Sequence, residues 1–182
     1  MVQESCNERI DRHYKSRIED LRLMFDPQPE DCSLSDNGTL DTVICIGDRE
    51  FIYSDTSDYR DDETGEMDLD AFLDDNFDDI RNDMYEDFYD YGLSFDYVPI
   101  GTFNDQHEGY FRYQISWGGP SEEFRFFCGP DYNPYKIEFW FLDWGDGACK
   151  RLYGNDLDIL MQVWDQFKDT GTAQAEFVRA TE

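Results

Sequence analysis

The chain has 182 residues, enough to bury a real core, and its fifteen Phe, twelve Tyr and four Trp are too many for a solvating polyacid. Forty-three acids against fifteen Lys and Arg give a formal charge of −28, which repels nucleic acid and anionic membrane and speeds encounter with a basic partner. No stretch approaches the roughly eighteen apolar residues that span a bilayer, so the expectation is one cytoplasmic domain.

From Glu8 to Phe25, Ile10, Tyr14, Ile18, Leu21 and Phe25 recur at helical spacing, and Asp26-Pro27-Gln28-Pro29 stops the helix. Thr42 to Ile46 and Glu50 to Tyr53 are short β-type runs joined at Gly47-Asp48, a hairpin signal. Ser54 to Glu66 is a polar acidic loop, and Asp68 or Asp70 can cap the helix that follows.

That helix is expected from Leu73 to Tyr91, with Leu73, Phe77, Ile80, Met84, Phe88 and Tyr91 on one stripe. The remainder of its surface is acid: Asp74, Asp75, Asp78, Asp79, Asp83, Glu86, Asp87 and Asp90. Spread over about 24 Å of axis, they give one charge per about 3 Å, near the roughly 3.4 Å phosphate spacing of a DNA strand. Six like-charge pairs four residues apart, from Asp70/Asp74 to Glu86/Asp90, imply about 1 to 3 kcal/mol of repulsion that helix stability alone would not select. Ser54 to Asp96 holds seventeen acids and two bases, Arg60 and Arg81, and so carries −15 of the total charge.

The C-terminal half predicts an antiparallel meander: Phe95 to Ile100, Tyr110 to Trp117, Glu122 to Cys128, Lys136 to Trp144 and Ala148 to Tyr153. Lys136 to Trp144 is almost continuously apolar, as in a strand covered on both faces. Asn155 or Asp156 is placed to cap a last helix, whose stripe is Leu157, Leu160, Met161, Trp164 and Phe167 and whose end is Gly171. The class expected is α+β, an antiparallel sheet with packed helices, one of them strongly acidic.

Catalytic and cofactor chemistry has little to stand on. His13 and His107 are the two histidines, with no H-E-x-x-H and no Ser/His/Asp or Cys/His arrangement, and no glycine motif cradles phosphate. Asp143 and Asp146 flank a Trp-Gly turn, where a turn role is commoner than an acid/base pair. The Asp58 to Asp68 stretch fails the EF-hand register, since Arg60 and Ala71 fall where acids are required. The five cysteines, Cys6, Cys32, Cys45, Cys128 and Cys149, lack a C-x-x-C and are expected as free thiols, with Cys45 and Cys128 in the core. The N-terminal Met-Val-Gln-Glu-Ser-Cys does not have the pattern of a secretory leader. The aromatic strands lack the basic groove of a single-strand binder, and Arg112 and Arg125 read as partners for nearby acids.

Tyr113-Gln114-Ile115-Ser116-Trp117-Gly118-Gly119-Pro120-Ser121, then Phe124-Arg125-Phe126-Phe127 and Ile137 to Trp144, resemble uncharacterised small proteins of bacterial plasmids and other mobile elements. The acidic middle resembles, in composition and charge spacing, the DNA-mimicking proteins used against restriction and CRISPR systems. That resemblance implies a non-enzymatic inhibitor without metal or cofactor, whose partner is a basic DNA-binding protein of a host defence complex. Asp74, Asp75, Asp78, Asp79, Asp83, Glu86, Asp87 and Asp90 would stand in for phosphates, extended by Asp58, Asp61, Asp62, Glu63 and Glu66. An immunity-type or chaperone-like protein for one basic toxin is the alternative, and pairing of two copies to lengthen the surface stays open.

Overall fold

The computed structural model describes residues 4–35 and 41–182. Residues 1–3, on which the reading of the N-terminus as no secretory leader partly rests, lie outside the described residues. The class is α+β, with an antiparallel three-stranded sheet and an antiparallel five-stranded sheet. By its contacts the chain groups into two compact units: Arg22–Phe88, and Tyr89–Glu182 together with the residues up to Leu21.

In the Arg22–Phe88 unit, β1 (Cys32–Ser35), β2 (Thr42–Ile46) and β3 (Arg49–Tyr53) form a sheet in that order. β1 was not anticipated, because Cys-Ser-Leu-Ser is too short and polar to show a period. The β2–β3 hairpin turns on Gly47, whose φ of +55° favours glycine and whose added Cβ would lie 2.9 Å from the Leu23 side chain. α2 (Leu69–Glu86) starts where Asp68 accepts a hydrogen bond from the Ala71 N–H at 3.1 Å, the expected cap. Phe72, Leu73, Ile80 and Met84 of α2 pack in one cluster with Leu23, Ile44, Ile46 and Phe51. Phe72 meets Tyr53 and Tyr59 edge-on, whereas Phe77, expected in the seam, is only half-buried.

The acidic helix does not run unbroken to Tyr91. Asp87 is a turn residue that caps α2, and α3 (Phe88–Tyr91) is a separate short helix. The last turn of α2 carries Asp83 and Glu86 and no base, an arrangement that opposes the helix dipole. The break lets Phe88 bury against Phe25, with ring centroids 4.9 Å apart, and lets Asp87 reach Arg49 at 3.0 Å.

In the second unit, α1 (Cys6–Phe25) contributes its residues up to Leu21. The sheet runs β4 (Ser94–Val98), β5 (Tyr110–Ser116), β6 (Ser121–Cys128), β7 (Pro134–Asp143) and β8 (Asp146–Arg151) in sequence order, the meander the alternation predicts. α4 (Gly154–Asp169) and α5 (Thr172–Thr181) follow. Neither Asn155 nor Asp156 caps α4: its N-cap is Tyr153, and Asp156 instead accepts the Tyr14 hydroxyl at 2.5 Å. Gly171, with φ +76°, ends α4 and also opens α5, a helix hidden in the sequence by its weak stripe.

Trp164 is fully buried against Phe95, Phe111 and Phe126, and its indole N–H donates to the Tyr132 carbonyl at 2.9 Å. β7 is covered unequally, not on both faces: Ile137, Phe139 and Phe141 are buried while Lys136, Glu138, Trp140 and Leu142 are half-buried. Bulky residues on both faces concealed that alternation. Cys45 and Cys128 are half-buried and Cys6 is the buried thiol, all five being free. Burial pushes the Cys128 thiol up to about 12.

Phe72→Ala is expected to cost about 3 to 5 kcal/mol in urea unfolding and Phe77→Ala distinctly less, because only Phe72 leaves a closed cavity; equal losses would contradict this core. Arg22 holds Asp31 through two bonds of 2.9 and 2.7 Å, which sets the Asp31 carboxyl below the usual range. The stability this group adds is present above the unfolded value of about 3.9 and is lost as pH falls through the lower folded value. Asp31→Asn should therefore destabilise at neutral pH, with the gap from the native chain closing in acid.

Candidate functional site

Arg22–Phe88 contains 22 acids and four bases. Each base is engaged: Arg22 with Asp31, Arg49 with Asp87, and Arg81 with Asp78 at 2.8 Å. Arg60 donates to the Gly65 carbonyl at 3.0 Å and to the Thr42 hydroxyl at 2.8 Å, so its charge goes into tying the loop to β2. Among the described residues of this unit, Arg81 is the base that stands on α2, and it answers Asp78 alone.

On α2, Asp74, Asp75, Asp78, Asp79, Asp83 and Glu86 are exposed, and Asp70, absent from the expected set, extends them by one turn. Asp74, Asp79, Asp83 and Glu86 have no ion-pair partner among the described residues. From Asp74 to Glu86 these six acids cover about 18 Å of axis, again one per about 3 Å. Four like-charge pairs remain within the helix, Asp70/Asp74, Asp74/Asp78, Asp75/Asp79 and Asp79/Asp83, worth about 1 to 2 kcal/mol of repulsion. Burial, followed by the fields of Asp83 and Asp79, raises the Tyr53 phenol above its ordinary value.

Two expected members of the row drop out. Asp87 is half-buried and held by Arg49, and Asp90 lies on α3 within the second unit, outside the continuous row on α2. The loop acids Asp58, Asp61, Asp62, Glu63 and Glu66 are all exposed. The loop is more built than expected, with a short turn at Ser57–Tyr59 and an antiparallel bridge between Arg60 and Met67. Asp61 is the exception to a purely outward set. Its Oδ1 accepts from the backbone N–H groups of Thr64 and Glu63 at 2.7 and 2.9 Å and from the Thr64 hydroxyl at 3.0 Å. Those bonds, the Thr64 N–H first, hold its carboxyl below the usual range. Asp75 likewise accepts the Tyr59 hydroxyl at 3.1 Å.

In the second unit the acids serve structure. Asp143 binds Arg9 at 2.5 Å, and Asp146 accepts the Cys6 N–H at 2.7 Å, so the flanking pair of the turn holds α1 in place. His13 Nδ1 lies 2.5 Å from Glu122 Oε1, and Arg17 Nε donates to Oε2 at 2.5 Å, which neutralises a fully buried carboxylate. Arg112 takes Asp96 through two bonds and Arg125 takes Glu123 at 2.6 Å.

A feature that sequence reasoning missed stands at one end of the five-stranded sheet. Trp117 and Trp144 sit at the β5–β6 and β7–β8 turns, 74% and 93% exposed. Trp144 and Gly145 have φ of +42° and +84°, the pattern of a type I′ turn, in which a bulky Trp is strained. The only signal in the sequence was a Trp standing where Asn is preferred.

Among the described residues, no helix is long and apolar enough to cross a membrane, and no group of three or more His, Cys, Asp or Glu is placed to hold a metal. No protein-family model, curated protein or solved structure matches the chain.

Replacing Asp74, Asp75, Asp78 and Asp79 with Asn should leave the thermal midpoint unchanged or higher, since repulsion is relieved and the pairs lost are surface ones. Trp144→Asn, which creates the Asn-Gly pair favoured in this turn, should raise stability by about 1 kcal/mol in denaturant; a loss would mean that the indole is held by contacts worth more than the strain.

Proposed function

We propose that the protein is a non-enzymatic inhibitor whose acidic surface on Arg22–Phe88 occupies the nucleic-acid groove of a basic DNA-binding protein. The observation that carries this reading is the row of exposed, mostly uncompensated carboxylates along α2, spaced at about the interval of strand phosphates. A charge array fixed on a helix with a packed seam needs little ordering on binding, unlike a flexible polyacid. The exposed loop acids Asp58, Asp62, Glu63 and Glu66 extend the array beyond the helix. The target class that fits is a bacterial defence complex, a restriction enzyme or CRISPR effector, met in the cytoplasm. This agrees with the resemblance to proteins of mobile elements.

A second reading rests on the strained, exposed Trp144 and on the exposed Trp117 at the same end of the sheet. Exposed aromatics of this kind are the usual anchors of a specific protein interface, as an immunity-type partner of a basic toxin would need.

The two readings separate by competition. The native protein, the four-Asn variant and a Trp117→Ser/Trp144→Asn variant are used to capture partners from bacterial lysate, with duplex DNA as competitor at several salt concentrations. Under the leading reading, a DNA-binding protein is retained by the native and Trp variants, lost with the four-Asn variant, and displaced by DNA and by salt. Retention that ignores DNA and the Asn substitutions but fails with the Trp variant overturns it in favour of the second.

A further inference from the structure

The outer face of the five-stranded sheet carries a cavity of about 890 Å³ that has no part in the acidic surface. This is within the range of small-molecule clefts, roughly 300 to 1,000 Å³. Its floor includes Tyr110 of β5, Arg125 and Phe127 of β6, and Lys136 and Trp140 of β7, while the loop from Phe103 to Glu108 forms a wall. That wall is fastened. The Gln106 amide donates to the carbonyls of Pro99 at 2.9 Å and Glu108 at 2.8 Å, and Glu108 accepts from Lys136 at 2.9 Å and Tyr135 at 3.2 Å.

Unused donors gather on the floor. The Arg125 guanidinium lies 3.8 Å from the Trp140 ring centroid and 4.6 Å from that of Tyr110. Only its Nε has a hydrogen-bond partner among the described residues, Glu123, so the terminal nitrogens keep four N–H groups to give. Tyr110 is 1% exposed, and its hydroxyl is buried without a hydrogen-bond partner. Buried hydroxyls are rarely left so, and each such group calls for an explanation. Lys136, by contrast, is committed to Glu108 and Glu138 and sits over Phe127.

We propose that this cavity is a binding site for a small aromatic carboxylate, its ring against Trp140 and Phe127 and its carboxylate taking the terminal nitrogens of Arg125 and the hydroxyl of Tyr110. A guanidinium that can only donate, beside a hydroxyl free to donate, selects an acceptor, and its planar fork suits a carboxylate through two parallel bonds. The acids Asp105, Glu108 and Glu138 around it argue against a more highly charged anion such as a phosphate ester. The rings and the volume ask for an apolar body larger than a single polar group.

The test uses the full ¹⁵N-labelled chain titrated with sodium 2-naphthoate, with 2-naphthylmethylamine as a cation of similar shape. Naphthoate should give saturable shifts at the Arg125 Nε–H, the Trp140 indole N–H and the backbone of 103–108, leaving the α2 amides still. The amine should produce only diffuse, non-saturating shifts. Arg125→Met should weaken naphthoate at least tenfold and Tyr110→Phe severalfold. Tyr110→Phe removes nothing but an unpartnered hydroxyl, so it remains informative if Arg125→Met fails to fold. No saturation by about 1 mM, or an unchanged affinity in Tyr110→Phe, overturns the assignment.

Discussion

Repulsion among carboxylates is the constraint around which Arg22–Phe88 is arranged. With 22 acids and four bases in one unit, ion pairs cannot neutralise the charge, and what keeps the acids apart on a surface is the apolar seam beneath them. The bases are spent at points of structural need: Arg60 on the loop, Arg22 beside the turn after α1, Arg49 where α2 ends. Apart from Arg81, which pairs with Asp78, this leaves the outward acids of α2 uncompensated, and the same economy of bases that makes the helix costly to fold is what the proposed function would use. Stability and the proposed function would draw on the charges in opposite directions.

The second unit solves a different problem, the burial of polar groups beneath an aromatic sheet. Glu122 lies under α1 with a bond to each oxygen, from His13 on one side and Arg17 on the other, so that a charge in the core has its partners supplied by one helix face. On the opposite face of the sheet Arg125 and Lys136 lie over aromatic rings, and most of the polar groups there are paired. Tyr110 stands out against that background because its hydroxyl is buried without a hydrogen-bond partner, beside an Arg125 guanidinium bonded through Nε alone.

Much of this architecture was legible in the residues, and the misses have physical causes. The β5–β8 meander announced itself because alternation survives wherever one face is aromatic and the other charged, as in Phe111-Arg112-Tyr113-Gln114. β7 misled because Trp140 and Leu142 make its half-covered face look like a core face. The break at Asp87 was invisible to periodicity, since Phe88 and Tyr91 continue the spacing and the cause is tertiary, the pull of Phe25 and Arg49. On the acidic surface, outward acids could be named from the helical period, but the loss of Asp87 to an ion pair and the bonding of Asp61 depended on partners distant in sequence or on turn geometry. The cavity at Arg125 was beyond reach, because it needs the register that sets β5, β6 and β7 side by side.

The division of the chain also sorts its chromophores. All four tryptophans, at 117, 140, 144 and 164, belong to the second unit, while Arg22–Phe88 has Tyr53, Tyr59 and Tyr85 and no indole. Light absorbed only by indole therefore follows one unit alone, and a transition seen in the tyrosine spectrum but silent at the red edge belongs to the acidic one. The protein carries its own two-colour label, by which the melting of its charged half can be followed separately from that of its aromatic half.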